Sequence, residues 1–215
     1  MPPNPDDSRL GKRRAPTQSR SRNTVECIKQ AAQKVIAEAG FAAATTGRIA
    51  ERAGVSIGSL YQYFATREAI FLALYEDVSV DLAAQMKRQA LRILDQPLER
   101  GVRSTTTQMF NLNVKHKLIL IDLVREMPEM NLAAHPLAYD NLIRGSIKAF
   151  VVSRTPSSRP ADIDRTIFFL ERIVIDSIRA YLRAPPARLT KNALIDEITA
   201  IATSYLTRRQ TDASV

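Results

Sequence analysis

The residues best suited to chemistry in this 215-residue chain lie close together, in the segment 45–70, TTGRIAERAGVSIGSLYQYFATREAI. Gly54 and Val55 separate two runs of about eight residues, the spacing of two short helices joined by a tight turn. Ile49, Ala50 and Ala53 fall on one side of the first run, Val55 sits in the turn, and Leu60 and Phe64 lie four apart on the second. Ala50 and Ala53 are small enough for the two helices to cross closely. With these residues inward, the second helix turns Ile57, Gly58, Ser59, Tyr61, Gln62 and Tyr63 outward. Such a slim face at a helix N-terminus suits the major groove of DNA, with the first helix crossing the backbone. Gln62 has the donor–acceptor pair that adenine presents to, and Ile57 suits a thymine methyl. The Tyr hydroxyls, Arg48 and the helix N-termini at Thr46 and Ser56 are candidate phosphate contacts.

Other elements must hold this motif. Asn23 and Glu26 have capping-box spacing, which predicts a helix over 23–39 stopped by Gly40. Thr66 caps a long helix reaching about residue 94, broken before Pro97. Further helices are predicted over 98–112, 116–127, 136–153, 161–183 and 190–209, punctuated by Pro128, Pro136, the stretch 155–160 and Pro185-Pro186. Beyond Gly58 only Gly101 and Gly145 remain, and no alternating strand or hairpin signal stands out. The expected fold is all-α. A three-helix helix-turn-helix domain occupies 21–67, a helical domain occupies 68–215, and a Pro-rich basic arm at 1–20 is expected to be disordered.

The charge supports a polyanionic partner. The chain carries a net +9, and residues 1–67 hold 11 Lys/Arg against 5 Asp/Glu. Arg13, Arg14, Arg20 and Arg22 form an arm that adds nonspecific attraction to phosphates, with minor-groove entry the more specific variant. Membrane-surface binding through this tail is the weaker alternative, because the tail lacks an apolar face. No signal peptide or bilayer-spanning run is present, so a soluble, cytoplasmic protein is expected. One Cys and two His leave little scope for a metal site, and Cys27 reads as packing filler. There is no GxxxxGK[ST], GxSxG or HExxH motif, so neither an enzyme nor a cofactor is expected.

The last two helices carry too much apolar surface for one side. Ile163, Ile167, Leu170, Val174, Ile178 and Tyr181 form one stripe, and Phe168, Ile175 and Leu182 a second. Leu194, Ile198, Ile201 and Tyr205 lie beside a stripe of Ile195, Ala202 and Leu206. One face packs on the body and the other predicts a two-fold homodimer through these helices.

The spaced positions Ile28-x-x-Ala31-Ala32, Gly40-Phe41, Thr45/Thr46-x-x-Ile49-Ala50-x-x-Ala53-Gly54-Val55-Ser56-x-Gly58-x-Leu60-Tyr61-x-Tyr63-Phe64-x-x-Arg67-Glu68 resemble the DNA-binding domain of the TetR (tetracycline-repressor) family of bacterial transcription regulators. The resemblance covers about a fifth of the chain. It implies phosphate contacts from Thr46, Tyr63 and Arg67 and groove contacts from 57–62. Arg67 stands where the family commonly has Lys, and Ile57 where a basic residue is often found. The resemblance also implies the same dimer and an effector pocket among the helices of 97–153. Phe110, Asn113, His116, Leu123, Met127, Met130 and Tyr139 are the candidate lining residues. A repressor released from a palindromic operator by a small-molecule effector is the implied function, with the helix after Thr66 as the lever. A constitutive or activator-type regulator is the alternative.

Overall fold

A computed structural model describes residues 15–135, 139–154 and 160–212; side chains are described from residue 21 onward, except those of 133, 139–143, 146, 154, 160–161 and 209–212. All regular structure among the described residues is helical. The chain divides into two compact units, 1–73 and 74–215, with the division inside a helix.

The first unit holds α1 (Ala15–Ala39), α2 (Thr46–Ala53), α3 (Ile57–Tyr61) and the start of α4 (Arg67–Arg92). On α1, Ile28, Ala32, Val35 and Ile36 follow a 4-3-1 spacing, one helical stripe, and all are buried. They share a core with Phe41, Ile49, Ala50, Leu60, Ile70 and Phe71, within which the Phe41 and Phe71 rings meet edge-on at 5.9 Å.

The first helix begins earlier than its sequence suggests. Asn23 lies inside α1 and caps nothing, while the Glu26 carboxylate pairs with Lys29 at 2.9 Å. The extra turns use Ala15, Gln18, Arg20 and Arg22, good or tolerable helix formers, and Pro16 lies in the first turn, where it has no hydrogen bond to lose. Residues 15–20, expected as disordered arm, are therefore helical. Arg13 and Arg14 lie outside the described residues, as does the side chain of Arg20; Arg22 is exposed on α1. Cys27 is exposed, not buried.

The bounds of α2 agree with the sequence reading, and its ends show why. Thr45 Oγ1 accepts the Arg48 amide at 3.3 Å at the start. At the end, Gly54 adopts φ +68°, its amide donates to the Glu51 carbonyl at 3.1 Å, and the Val55 amide donates to Ala50 at 3.0 Å. This paired closure satisfies two carbonyls that the helix terminus would otherwise leave bare. Ser56 then caps α3, accepting the Ser59 amide at 3.1 Å. α3 is shorter than expected: it ends at Tyr61, and the amides of Tyr63 and Phe64 both converge on the Leu60 carbonyl at 3.0 Å.

The second unit contains the rest of α4, α5 (Leu98–Lys115), α6 (Leu123–Glu126), α7 (Tyr139–Arg154), α8 (Pro160–Glu171), α9 (Ser177–Arg183) and α10 (Lys191–Asp212). Gln89 of α4 donates to Ser104 of α5 at 2.7 Å, and Gly101 faces Ile93, which sets α4 and α5 antiparallel. α5 packs along α10 and α7 along α8. Val102, Val151, Ile167, Leu170, Ala202 and Leu206 form one buried cluster. Two helices expected to be continuous are each interrupted by a single π-helical turn, at Leu118–Asp122 and at Arg172–Asp176. Three buried polar side chains donate to their own helices, Thr166 to the Asp162 carbonyl, Thr199 to Ile195 and Asn113 to Met109, whereas the Ser79 hydroxyl and Asn113 Oδ1 are buried without a hydrogen-bond partner. No helix among the described residues is long and apolar enough to cross a membrane.

A Cβ placed on Gly54 would meet nothing within 4 Å, so substitution there is penalised by backbone conformation alone. Gly54→Ala is expected to destabilise the first unit by about 1–2 kcal/mol, the usual cost of a left-handed L-residue. Denaturant unfolding followed by circular dichroism checks this, and an unchanged midpoint would contradict it.

Candidate functional site

The outward face of the turn motif is built around one buried leucine. Leu60 is 0% exposed and is the buried residue of α3, so the opposite side of that helix faces solvent. Ile57 is 45% and Tyr61 51% exposed, large values for apolar and aromatic side chains. Gly58 and Gln62 are exposed beside them, whereas Ser59 and Tyr63 are half-buried. The result is a narrow uncharged ridge with a single amide at its end.

A contact that the sequence pattern did not suggest braces the ridge. The hydroxyls of Thr46, at the start of α2, and Tyr61, at the end of α3, lie 3.1 Å apart. Two side chains expected to donate separately to phosphates are thus joined as one polar pair across the motif. Ser56 Oγ is occupied by the Ser59 amide and lies 2.9 Å from the Ser59 hydroxyl, so its role is to hold the helix start.

The cations of this unit differ in how free they are. Arg52 makes a two-pronged pair with Glu38 at 2.6 and 3.2 Å. Arg67 Nε donates to Glu68 at 2.7 Å. That hydrogen bond holds the Glu68 carboxyl below its ordinary value, against the opposing effect of partial burial. Arg48 is exposed on α2 and has no ion-pair partner among the described residues. The motif offers the Arg48 guanidinium, a hydroxyl pair and an uncharged ridge, a combination able to hold a phosphate backbone and meet base edges.

The second unit contains a cleft of about 650 Å³ of empty space, part of it open to solvent. Met86 of α4, Met109 of α5, Ile147 and Phe150 of α7, Leu170 of α8 and Leu206 of α10 are among its walls. Apart from Thr105 and Thr106 the described lining residues are apolar. Of the residues expected to line a pocket, those whose side chains are described lie outside the walls of this cleft. Phe110 lies one position past the cleft-facing row of α5 and packs on Tyr181, ring centroids 5.8 Å apart, with the Lys191 ammonium 5.1 Å from its ring centroid. Leu123 and Met127 are core residues. Asn113 is 1% exposed and anchored to its own helix, and Met130 is half-buried. The side chain of Tyr139 lies outside the described residues. His116, the remaining candidate, is half-buried with Nε2 lacking a hydrogen-bond partner.

The unpartnered apolar face of the last helices is narrower than the sequence stripes suggested. Phe168 is 56% and Ile201 50% exposed, while Ile175, expected beside Phe168, is 1% exposed. The π turn at Arg172–Asp176 contains Ile175 and rotates it and the following residues around the helix axis relative to Phe168. Phe169 joins the exposed group, in edge contact with Phe168 at 5.4 Å and with Tyr205 at 6.1 Å.

Comparison with known proteins agrees with this two-part layout. Residues 28–74 match the family described as bacterial regulatory proteins, tetR family, and residues 97–206 match the tetracyclin repressor-like C-terminal domain. The chain is similar to the solved fatty acid degradation regulator FadR of Bacillus halodurans, at 17% identity over 84% of this chain and 94% of that one, TM-score 0.63. It is also similar to a TetR family transcription regulator of Marinobacter aquaeolei VT8, at 20% identity over 87% and 97% of the two chains, TM-score 0.56. A third, Thermus thermophilus FadR, a TetR family transcriptional repressor solved in complex with lauroyl-CoA, is 21% identical over 85% and 93%, TM-score 0.59.

Burial pushes the His116 imidazole below its ordinary value of 6.5, Lys115 adds to the shift, and Asp81 opposes it. Below pH 6.5 the unfolded chain therefore takes up protons that the folded chain resists, so stability falls as pH drops through that range and is regained above it. The melting temperature of the second unit is expected to fall between about pH 7.5 and 5.5, and to fall less in His116→Gln. Equal losses in the two proteins would remove His116 from that response.

Proposed function

Because the chain belongs to the tetR family of bacterial regulatory proteins, which are DNA-binding transcription regulators, we propose that it is a cytoplasmic repressor released from a two-fold operator by an apolar small molecule. The observation that carries the DNA reading is the uncharged ridge of α3, exposed at Ile57 and Tyr61 and anchored by Leu60. In this reading Ile57, Gly58, Ser59 and Gln62 meet base edges, Arg48 and the Thr46–Tyr61 hydroxyl pair hold phosphates, and Tyr63 and Arg67 add backbone contacts. The basic residues Arg13, Arg14, Arg20 and Arg22 add attraction that does not depend on sequence.

The apolar cleft supports an effector with a hydrocarbon part, and the lauroyl-CoA bound to the similar Thermus regulator is a molecule of that kind. Phe168, Phe169 and Ile201 supply the apolar face for a homodimer through α8 and α10, which places two α3 ridges on one DNA. Helix α4 carries Arg67 at its first residue and the cleft residues Met86 and Ala90 further along, so one helix contributes to both sites. An effector that binds better to a conformation with misplaced α3 helices lowers DNA affinity by the same coupling factor that DNA imposes on it, typically about 5–150-fold.

Selection of bound sequences from random DNA tests the proposal. The expected product is a two-fold-symmetric site with half-sites about 10 bp apart, or multiples of that. Gln62→Ala should relax the preference at one position per half-site, a discrimination of about 1–3 kcal/mol. Arg48→Ala should weaken binding to all sequences and lower the salt slope by about 0.9. Failure to enrich any sequence would sink the proposal.

A further inference from the structure

Threonine hydroxyls in the helices of the second unit turn back on their own backbone. Thr107 donates to the Arg103 carbonyl at 2.8 Å, Thr166 to Asp162 at 2.8 Å and Thr199 to Ile195 at 2.6 Å, each one turn earlier in its helix. Thr105 departs from this habit. The carbonyl one turn back belongs to Gly101, yet Thr105 Oγ1 is buried and has no hydrogen-bond partner. Ser79 and Thr203 also hold buried hydroxyls without partners, but of these three residues Thr105 is the one that lines the apolar cleft.

A hydroxyl withdrawn from water and left unpaired is costly, and a helical threonine has two χ1 positions to choose between. Helix geometry alone therefore does not account for this arrangement. Because Thr105 lines the cleft while its oxygen is buried, its carbon atoms form that part of the wall. A turn of about 120° about χ1 puts the hydroxyl in a neighbouring staggered position, within the space the methyl otherwise serves.

The level of Thr105 matters as much as its chemistry. On α5 the cleft lining runs from Val102 to Met109, about 10 Å of helix. Thr105 lies about 4.5 Å along the axis from the first and about 6 Å from the second, with Thr106 beside it. A molecule lying along α5 meets apolar wall, then one polar level, then apolar wall again. A lone hydroxyl matches a carbonyl or hydroxyl oxygen. An ionised head group at that level would give up far more hydration than one hydroxyl returns, and the described lining residues offer it no opposite charge.

We propose that Thr105 determines the specificity of the cleft, and that the effector carries an uncharged oxygen, carbonyl or hydroxyl, within its skeleton and hydrocarbon on both sides of it. The inference rests on the cleft being the effector site, and adds to it the chemical class of the molecule and the residue that selects it.

Calorimetric titration of the full-length protein with 5-nonanone, 1-nonanol and nonanoate tests it, since these probes share a chain length and differ in the place and charge of their oxygen. 5-Nonanone is expected to bind about tenfold more tightly than either of the others. In Thr105→Val, which keeps the shape and removes the oxygen, that advantage should vanish, whereas Thr105→Ser should retain it. Thr105→Val should also melt about 2–4 °C higher than the wild type, because it removes a buried oxygen that has no partner, and the cooperative melt shows that the variant is folded. Equal binding of the three probes, tighter binding of 1-nonanol or nonanoate, or an advantage that survives in Thr105→Val overturns the role of Thr105 and leaves the cleft standing. An unchanged or lowered melting temperature of Thr105→Val contradicts the unpaired hydroxyl and overturns it as well. If no probe binds a wild-type protein that still selects operator DNA, the reading of the cleft fails and this inference fails with it.

Discussion

α3 is five residues long, and helices of that length do not hold their shape unaided. Its position depends on Leu60 entering the core, a burial that contributes roughly 1.5–3 kcal/mol, and on the left-handed reversal at Gly54 that brings it back against α2. The Ser56 cap and the Thr46–Tyr61 hydroxyl pair then fix its start and its end. Once Leu60 points inward, helical geometry leaves no choice about which residues point outward: Ile57, Gly58, Tyr61 and Gln62. The proposed reading face is thus the complement of a single packing contact. A loss at Leu60 would disturb DNA reading without touching any residue assigned to DNA.

The second unit applies the same rule to longer helices and reaches a different result. Each helix there has several apolar turns to place, and they do not all find partners. Some of the surplus closes around the cleft, where Met86, Met109 and Leu170 face empty space. Some stays outside as Phe168, Phe169 and Ile201. The wider π turn at Arg172–Asp176 carries Ile175 inward while Phe168, seven residues earlier, faces solvent, although both fall on one stripe in an ideal helix.

Legibility in the sequence tracked how local the cause was. α2 and the cap of α3 could be read because Thr45, Gly54 and Ser56 act on backbone groups within three or four residues of themselves. The start of α1 could not, because residues 15–22 have no apolar rhythm and Asn23 is as acceptable inside a helix as before one. The outward face of α3 followed from periodicity, whereas the Thr46–Tyr61 pair depends on how two helices cross. The cleft was the least legible feature. Apolar bulk with polar handles points to Phe110, Asn113 and His116, yet the residues that enclose the space include Val102, Met109 and Leu206, indistinguishable by type from filled core. Empty volume is a property of tertiary packing, and no residue type encodes it alone.

Charge and reading face are carried by different parts of the first unit. Its excess of positive charge is large in the sequence, but Arg52 is held by Glu38, Arg67 by Glu68 and Lys29 by Glu26. Each pair is weak in water because both partners are partly exposed. A DNA phosphate meeting Arg67 must therefore displace or share Glu68, exchanging one anion for another with little net gain. Arg48 faces no such exchange, and neither does a ridge without charges. In the proposed reading, attraction at long range then belongs to Arg48 and the basic N-terminal residues, and discrimination at contact belongs to α3. Salt weakens the first strongly and the second hardly at all. Such a protein would lose its hold on arbitrary DNA as ionic strength rises faster than it loses its preference among sequences.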